Sequence, residues 1–338
     1  MKQINYAIDT SSMLLPPITF RSHSLLAPSI FIQTFSMKKQ VLFFLITVAS
    51  LQLPAQKDGF AESNGVRIYY RTFGTGTPIL IINGGPGLNS DGFVDLAKTL
   101  SVHNQTIIYD QRGTGRSAMQ KIEASTITMQ LMVDDMENLR KQLKIERWIV
   151  LGHSFGGMLA SYYATIHPDK IISMVLSSSG GIDLELLSYV SKNINAKLTP
   201  QQLDSANYWS QKIAEGDTSY FARWQRAKAL ANAYVHDKKY APVIAERLTH
   251  SNLTINNLMW QDMQKINFNC AAKLSTFNRP VLIIQGRQDI IEERTAQKAN
   301  KILKNSRLVI VDHCVHYGWL DNREAYLSEV EKFISGKD

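Results

Sequence analysis

The stretch that decides the fold is Trp148-Ile-Val-Leu-Gly-His-Ser-Phe-Gly-Gly157. Trp148 to Leu151 is a short, unbroken apolar run, the pattern of a strand buried on both faces. Gly156 to His167 has a helical pattern. Between strand and helix, Gly152-x-Ser154-x-Gly156 permits a tight, strained turn that lifts the serine above the sheet. Ser154 is therefore a candidate nucleophile, and the helix N-terminus beneath it favours developing negative charge.

Working outward, apolar runs alternate with helical patterns from Gly59 onward. Val66–Phe73, Pro78–Ile82 and Thr106–Tyr109 are expected strands before the serine. Ile172–Leu176, Val281–Ile284 and Leu308–Val311 are expected after it. Ile127 to Leu143 is an amphipathic helix with Met132, Met136, Leu139 and Leu143 on one stripe. Asn322 to Ile334 is a closing helix, ended by Gly336. Alternation of this kind implies an α/β fold with a mostly parallel sheet covered by helices on both faces. The interval 182–272 breaks the pattern. It has no buried strand and many large aromatics: Tyr208, Trp209, Tyr220, Phe221, Trp224, Tyr234, Tyr240 and Trp260. It reads as a helical lid inserted before the last core strands, with the core spanning 59–181 and 273–338. Most of these aromatics are expected to pack the lid and a few to face a substrate.

A serine hydroxyl is a weak nucleophile and needs a base, which in turn needs an orienting group. Asp289 lies just past the expected strand Val281 to Gly286, in place to orient an imidazole; Asp312 is the fallback acid. Two histidines follow the last strand, His313 and His316. His316 is preferred because it precedes Tyr317-Gly-Trp-Leu-Asp321, which leads into the final helix. An oxyanion needs preset donors. The N–H of Phe155 supplies one, and the glycine-rich loop Asn83-Gly84-Gly85-Pro86-Gly87 supplies the other, assigned to Gly85.

Three segments together, Asn83-Gly-Gly-Pro-Gly87, Asp110-Gln-Arg-Gly-Thr-Gly-Arg-Ser117 and Gly152-His-Ser-Phe-Gly-Gly157, resemble the proline iminopeptidases and their relatives. The resemblance runs from about Gly65 to Phe333 and is weakest across the lid. It implies the α/β-hydrolase fold and a serine triad of Ser154, Asp289 and His316. Cys314-Val315-His316 matches the family's Cys-Gly-His, with Val in place of Gly, and Asn83 stands where the family usually has His. The Asp110–Ser117 segment is implied to brace the loops near the site. The implied activity is hydrolysis of the amide after an N-terminal residue, often proline. In that family the free amine is held by carboxylates from the lid and near the triad acid. Here Ile290 and Asn256-Asn257 occupy positions where some relatives carry Glu. Asp262 and Glu246 are the candidate substitutes, with Trp260 as an apolar wall of the substrate pocket. Hydrolysis of small esters by the same machinery is the alternative. A non-catalytic binding protein on this scaffold is a third. Relatives with an aspartate nucleophile, such as dehalogenases and epoxide hydrolases, are disfavoured by Ser154.

Composition narrows the choices further. The 338 residues are 44% hydrophobic, enough for a sizeable core. The formal net charge is +8, and 33 basic against 28 acidic residues remain beyond position 55. No dense basic tract points to nucleic acid. No cofactor or metal motif occurs, so the expected partner is a small peptide or ester substrate. Cys270 and Cys314 make neither a disulfide framework nor a zinc pattern. They are expected to be free and partly buried, with a single bridge as the alternative. Met37-Lys38-Lys39, the apolar run Val41 to Ala49 and the small residues to Ala55 describe a secretory signal, residues 37–55. The run is too short to span a membrane. Cleavage after Ser50 or Ala55, export to the periplasm or medium, and an untranslated or disordered extension over 1–36 are the corresponding expectations. A transit peptide or a plain anchor is the rival reading of this end.

Overall fold

The computed structural model describes residues 56–336, so the expectations for the extension 1–36 and the signal 37–55 lie outside the described residues. The first half of the core runs through strands β1 (Lys57–Ser63), β2 (Val66–Phe73) and β3 (Thr77–Ile82), helix α1 (Val94–Leu100), strand β4 (Asn104–Tyr109) and helix α2 (Met129–Gln142). Strand β5 (Trp148–His153), helix α3 (Phe155–Ile166) and strand β6 (Ile171–Ser177) follow. Five helices then form the lid: α4 (Val190–Ala196), α5 (Pro200–Ala214), α6 (Tyr220–Ala231), α7 (Ala241–Thr249) and α8 (Leu253–Lys265). The chain closes with α9 (Ala271–Leu274), β7 (Val281–Gly286), α10 (Glu293–Ile302), β8 (Ser306–Val311), α11 (Gly318–Asp321) and α12 (Arg323–Ile334).

Among the described residues the strands make one eight-stranded sheet in the order β1-β2-β4-β3-β5-β6-β7-β8. β2 is antiparallel to both neighbours, and every pairing from β4 through β8 is parallel. Strand periodicity sorts the side chains. Leu80 and Ile82 of β3 join one buried cluster with Met132, Val133 and Met136 of α2 and Met158 and Leu159 of α3. Ile79 and Ile81 join the other, with Leu96 and Leu100 of α1 and Val330 of α12. Both faces are thus covered, as continuous apolar strands require. The methionines of α2 are core.

The seven expected strands are present, most of them a residue or two longer, because backbone pairing continues past the apolar run: Thr77 still pairs with Asn104. β1 was not foreseen. It is an edge strand, and within it only Ala61 and Ser63 are buried, too few for a periodic signal. The lid leaves and re-enters the core at one place. Asp183 bridges Asn269, and the Cys270 N–H donates to Ile182 O at 2.8 Å. Cys270 and Cys314 are free and buried, and burial pushes the Cys270 thiol up to about 12. None of the described helices is long and apolar enough to cross a membrane.

Candidate active site

Parallel strands deliver their following loops to one edge of the sheet, and four such loops meet there. Ser154 sits between β5 and α3 with φ 55° and ψ −120°. A non-glycine residue held at positive φ is strained, by about 1–3 kcal/mol, and is held there only by its surroundings. Those surroundings are close. The Ser154 N–H donates to Ser177 O at 3.0 Å, and Ser154 O accepts from Gly180 N–H at 3.0 Å. A Cβ at Gly156 would stand 2.2 Å from Ile82 O, so α3 can begin this near β3 only with glycine at that position.

The loops after β7 and β8 bring Asp289 and His316 together. His316 Nδ1 lies 2.8 Å from Asp289 Oδ1, and both side chains are buried. The same oxygen accepts from the Ile291 N–H at 3.2 Å, which orients the carboxylate. The loop holding His316 is tied at three points. Gln288 N–H donates to Cys314 O, the His316 N–H donates to Tyr234 O of the lid at 3.1 Å, and the Val315 N–H donates to Asp321 Oδ2 at 2.9 Å. His313 instead occupies a left-handed turn at φ 53°. Its ring faces His236 at 5.4 Å, and it does not border the cavity described below. Asp312 is exposed and paired with Arg287.

The loop after β3 faces Ser154. Gly85 takes φ +71°. The Asn83 amide donates to Leu88 O at 2.9 Å, Arg247 Nη2 donates to Gly84 O at 2.8 Å, and the Asn256 amide donates to Pro86 O at 3.1 Å. The Phe155 N–H is the first of α3, where no intrahelical acceptor exists. Behind this loop the Asp110–Ser117 segment is a hydrogen-bonded brace. Asp110 Oδ1 accepts from Ser90 Oγ at 2.7 Å, Gln111 donates to Asn83 O at 3.0 Å, and Arg112 forks onto buried Asp135 at 2.8 and 2.6 Å.

A cavity of about 380 Å³ opens over Ser154, bordered by Gly85, Phe155, His316, Trp260, Ile290 and residues from the lid helices. Of the eight lid aromatics, Tyr234 and Trp260 reach it. Trp260 packs edge-on to Phe155 with ring centroids 6.1 Å apart. Tyr208, Tyr220 and Phe221 are exposed. The two expected amine-binding carboxylates are a correction: neither borders the cavity. Asp262 Oδ2 accepts from the Met129 N–H at 2.8 Å, because two residues along α8 from Trp260 is some 200° around the helix. Glu246 accepts from Tyr220 OH at 2.7 Å and lies 3.4 Å from His250 Nε2, on the outer side of α7. Two residues that sequence reasoning missed, Arg226 and Arg247, do border the cavity. Lid helices carry arginines on several faces, and nothing in their spacing marked these two.

His153 is fully buried behind His316, with ring centroids 4.7 Å apart, and its ring meets no side-chain hydrogen-bond partner among the described residues, with the Ser177 backbone as a polar neighbour. Burial first, then the neighbouring His316 and Arg247, push its pKa well below the ordinary value. The ring is therefore neutral, and no second charge forms behind His316. Among the described residues, no three His, Cys, Asp or Glu side chains converge as a metal site.

A sequence profile described as the alpha/beta hydrolase fold matches residues 77–322, which include Ser154, Asp289 and His316. The chain belongs to the α/β-hydrolase family. It is 24% identical over 289 residues to a proline iminopeptidase of Heyndrickxia coagulans, covering 82% of this chain and 98% of that one. Among solved structures, an esterase from Exiguobacterium antarcticum superposes with a TM-score of 0.66 at 17% identity, covering 82% of this chain and 100% of that one. A proline iminopeptidase from Mycobacterium smegmatis superposes with a TM-score of 0.59 at 20% identity, covering 83% and 98%. The protein is a hydrolytic enzyme of this family, similar in sequence to proline iminopeptidases.

Proposed function

We propose that the protein cleaves ester or amide bonds of small substrates through an acyl-enzyme on Ser154, without requiring a free N-terminal amine. His316 takes the Ser154 proton as Oγ attacks the carbonyl carbon. Asp289 holds the imidazole in the right tautomer and stabilises its charged form. The Gly85 and Phe155 N–H groups receive the oxyanion. Collapse of the tetrahedral adduct expels the alcohol or amine, which takes its proton from His316. Water then repeats the sequence on the acyl-enzyme and frees the acid.

The observation that carries the reading is the 2.8 Å Asp289–His316 pair beside a serine held at the strained turn between β5 and α3. The independence from an amine rests on the cavity lining. It includes no Asp or Glu among the described residues, and an ammonium buried without a counter-ion is costly. The sequence similarity to proline iminopeptidases supports the rival reading, release of an N-terminal residue from small peptides. A panel of prolyl arylamide, its N-blocked form and short-chain esters separates the two. Blocking the amine should lower kcat/KM less than tenfold, with short esters turned over at least as well. A loss of about 100-fold on blocking, roughly 2.7 kcal/mol, would establish the iminopeptidase reading instead. The basic and apolar pattern from Met37 supports export, so native protein should begin between Leu51 and Asp58 on terminal sequencing.

A further inference from the structure

Two arginines and no Asp or Glu line the cavity over Ser154 among the described residues. Arg226 on α6 and Arg247 on α7 both border it, and neither forms an ion pair with a carboxylate among the described residues. Two partly desolvated like charges lining one cavity without an anion are unfavourable, because desolvation is repaid best by a partner of opposite charge. A ligand carrying an anion would supply the missing partner, and arginine is the side chain suited to a planar, two-oxygen acceptor.

Both side chains are seated rather than trailing. Arg247 is 6% exposed. Its stem lies against Gly92, where a Cβ would come within 2.5 Å of Cδ. Its guanidinium is 5.2 Å from the Phe93 ring centroid and 5.9 Å from that of Tyr317. Nη2 is spent on Gly84 O. Nε is buried against Gly92 with no acceptor, so the guanidinium can offer a ligand only its remaining Nη1. Arg226 is fixed by its Nε, which donates to Ser210 Oγ at 2.9 Å. That leaves both of its Nη groups without an acceptor among the described residues. Burial pushes its pKa down, as expected of a cation lacking a counter-ion.

We infer that the substrate of this hydrolase carries a carboxylate, bound within the cavity by Arg226 and Arg247 while Ser154 attacks an ester or amide carbonyl elsewhere in the same molecule. The inference rests on the proposed serine chemistry, and it replaces the cationic amine of a peptide with an anion as the recognised group. A volume of about 380 Å³ suits a small organic acid derivative. Arg247 would also link recognition to catalysis, since the same guanidinium holds the carbonyl of Gly84 in the oxyanion loop.

The test has two parts that fail separately. Turnover is measured on matched 4-nitrophenyl esters whose acyl chain ends in a carboxylate or in an uncharged methyl ketone, namely mono-4-nitrophenyl adipate and 4-nitrophenyl 6-oxoheptanoate. A second pair places the carboxylate or an acetyl group on the phenol, 3-carboxyphenyl and 3-acetylphenyl butyrate. Each rate is divided by that of the same ester with hydroxide. In one of the two pairs kcat/KM should favour the acid at least tenfold. That ratio should fall below threefold in Arg226→Gln and be partly kept in Arg226→Lys, which retains the charge but not the planar fork. Binding of adipate and of adipamide, read by tryptophan fluorescence, is followed independently of turnover. Adipate should bind at least tenfold tighter in the native protein and lose that advantage in Arg226→Gln. Ratios near one in both ester pairs together with equal binding of adipate and adipamide would overturn the inference. So would a preference unchanged in Arg226→Gln. Failure of Ser154 labelling by a fluorophosphonate, with the adipate preference intact, would overturn the serine chemistry and leave the anion site standing.

Discussion

On the sheet side of the cavity, Ser154, Asp289, His316 and Gly85 stand on loops whose backbone is held from several directions. The Ser154 N–H is taken by Ser177, the His316 loop is tied at Cys314, Val315 and His316, and Asn83 clamps the glycine loop. On the lid side, Arg226, Arg247, Tyr234 and Trp260 project from α6, α7, α8 and the segment after α6, and two of the four are charged. The sheet side offers geometry and one carboxylate spent on His316, with the His153 pKa held low beneath it. The lid offers charge and an apolar wall. The contrast teaches that reaction type is written where the backbone is most constrained, and substrate choice where one helix turn decides which side chain faces in.

The largest expected effects fall on the sheet side. Ser154→Ala should abolish fluorophosphonate labelling and lower turnover by roughly 10⁴-fold or more, with an unchanged far-ultraviolet spectrum. His316→Ala should cost on the order of 10³-fold or more. His313→Ala should cost less than about threefold; a larger loss there would exchange the roles of the two histidines. Next comes packing beneath the nucleophile. Gly156→Ala should destabilise the fold by about 1–3 kcal/mol in urea melts, because its Cβ meets Ile82 O. An unaffected midpoint would mean that α3 can shift, and that the serine turn is less constrained than the contrast requires.

A smaller effect follows from His153. Its folded-state pKa is depressed, so below the ordinary value near 6.5 the unfolded chain binds a proton that the folded one refuses. Stability should therefore fall as pH drops below 6.5, continuing until the folded pKa is reached, with a slope of up to about 1.4 kcal/mol per pH unit. Urea melts at pH 7.5 and 5.5 should show this loss, and His153→Leu should shrink it. An identical loss in the variant would place the acid sensitivity elsewhere. The smallest effect is expected from the lid carboxylate that faces away. Glu246→Gln should change kcat/KM on a free-amine prolyl arylamide less than about twofold, and a tenfold loss would return Glu246 to the cavity.

Much of this was legible in the residues themselves. Val281–Ile284, Pro78–Ile82 and Trp148–Leu151 announced buried strands because both of their faces are covered, and loops at the ends of such strands carry Ser154, Asp289 and the glycine loop. β1 was not legible, since an edge strand with two buried residues leaves no periodic mark. Asp262 and Glu246 were plausible amine ligands by composition. Only the phase of α8 and α7 turned them away, to Met129 and to Tyr220.

The sequence by itself determined the alternation of strand and helix, the order Ser154, Asp289, His316 along the chain, and the glycines that let backbone approach backbone. These depend on local pattern, on periods of two and 3.6 and on the absence of a side chain, all properties of neighbouring residues. Only the tertiary structure decided between His313 and His316, joined the Tyr234 carbonyl to the His316 N–H, and brought Arg226 and Arg247 into one cavity without a carboxylate to neutralise them. Those outcomes depend on the rotational phase of helices packed from distant parts of the chain. A rotation of 100° per residue moves a side chain from cavity to solvent in a single step, and no run of residues along α6 or α7 records which step the packing selects.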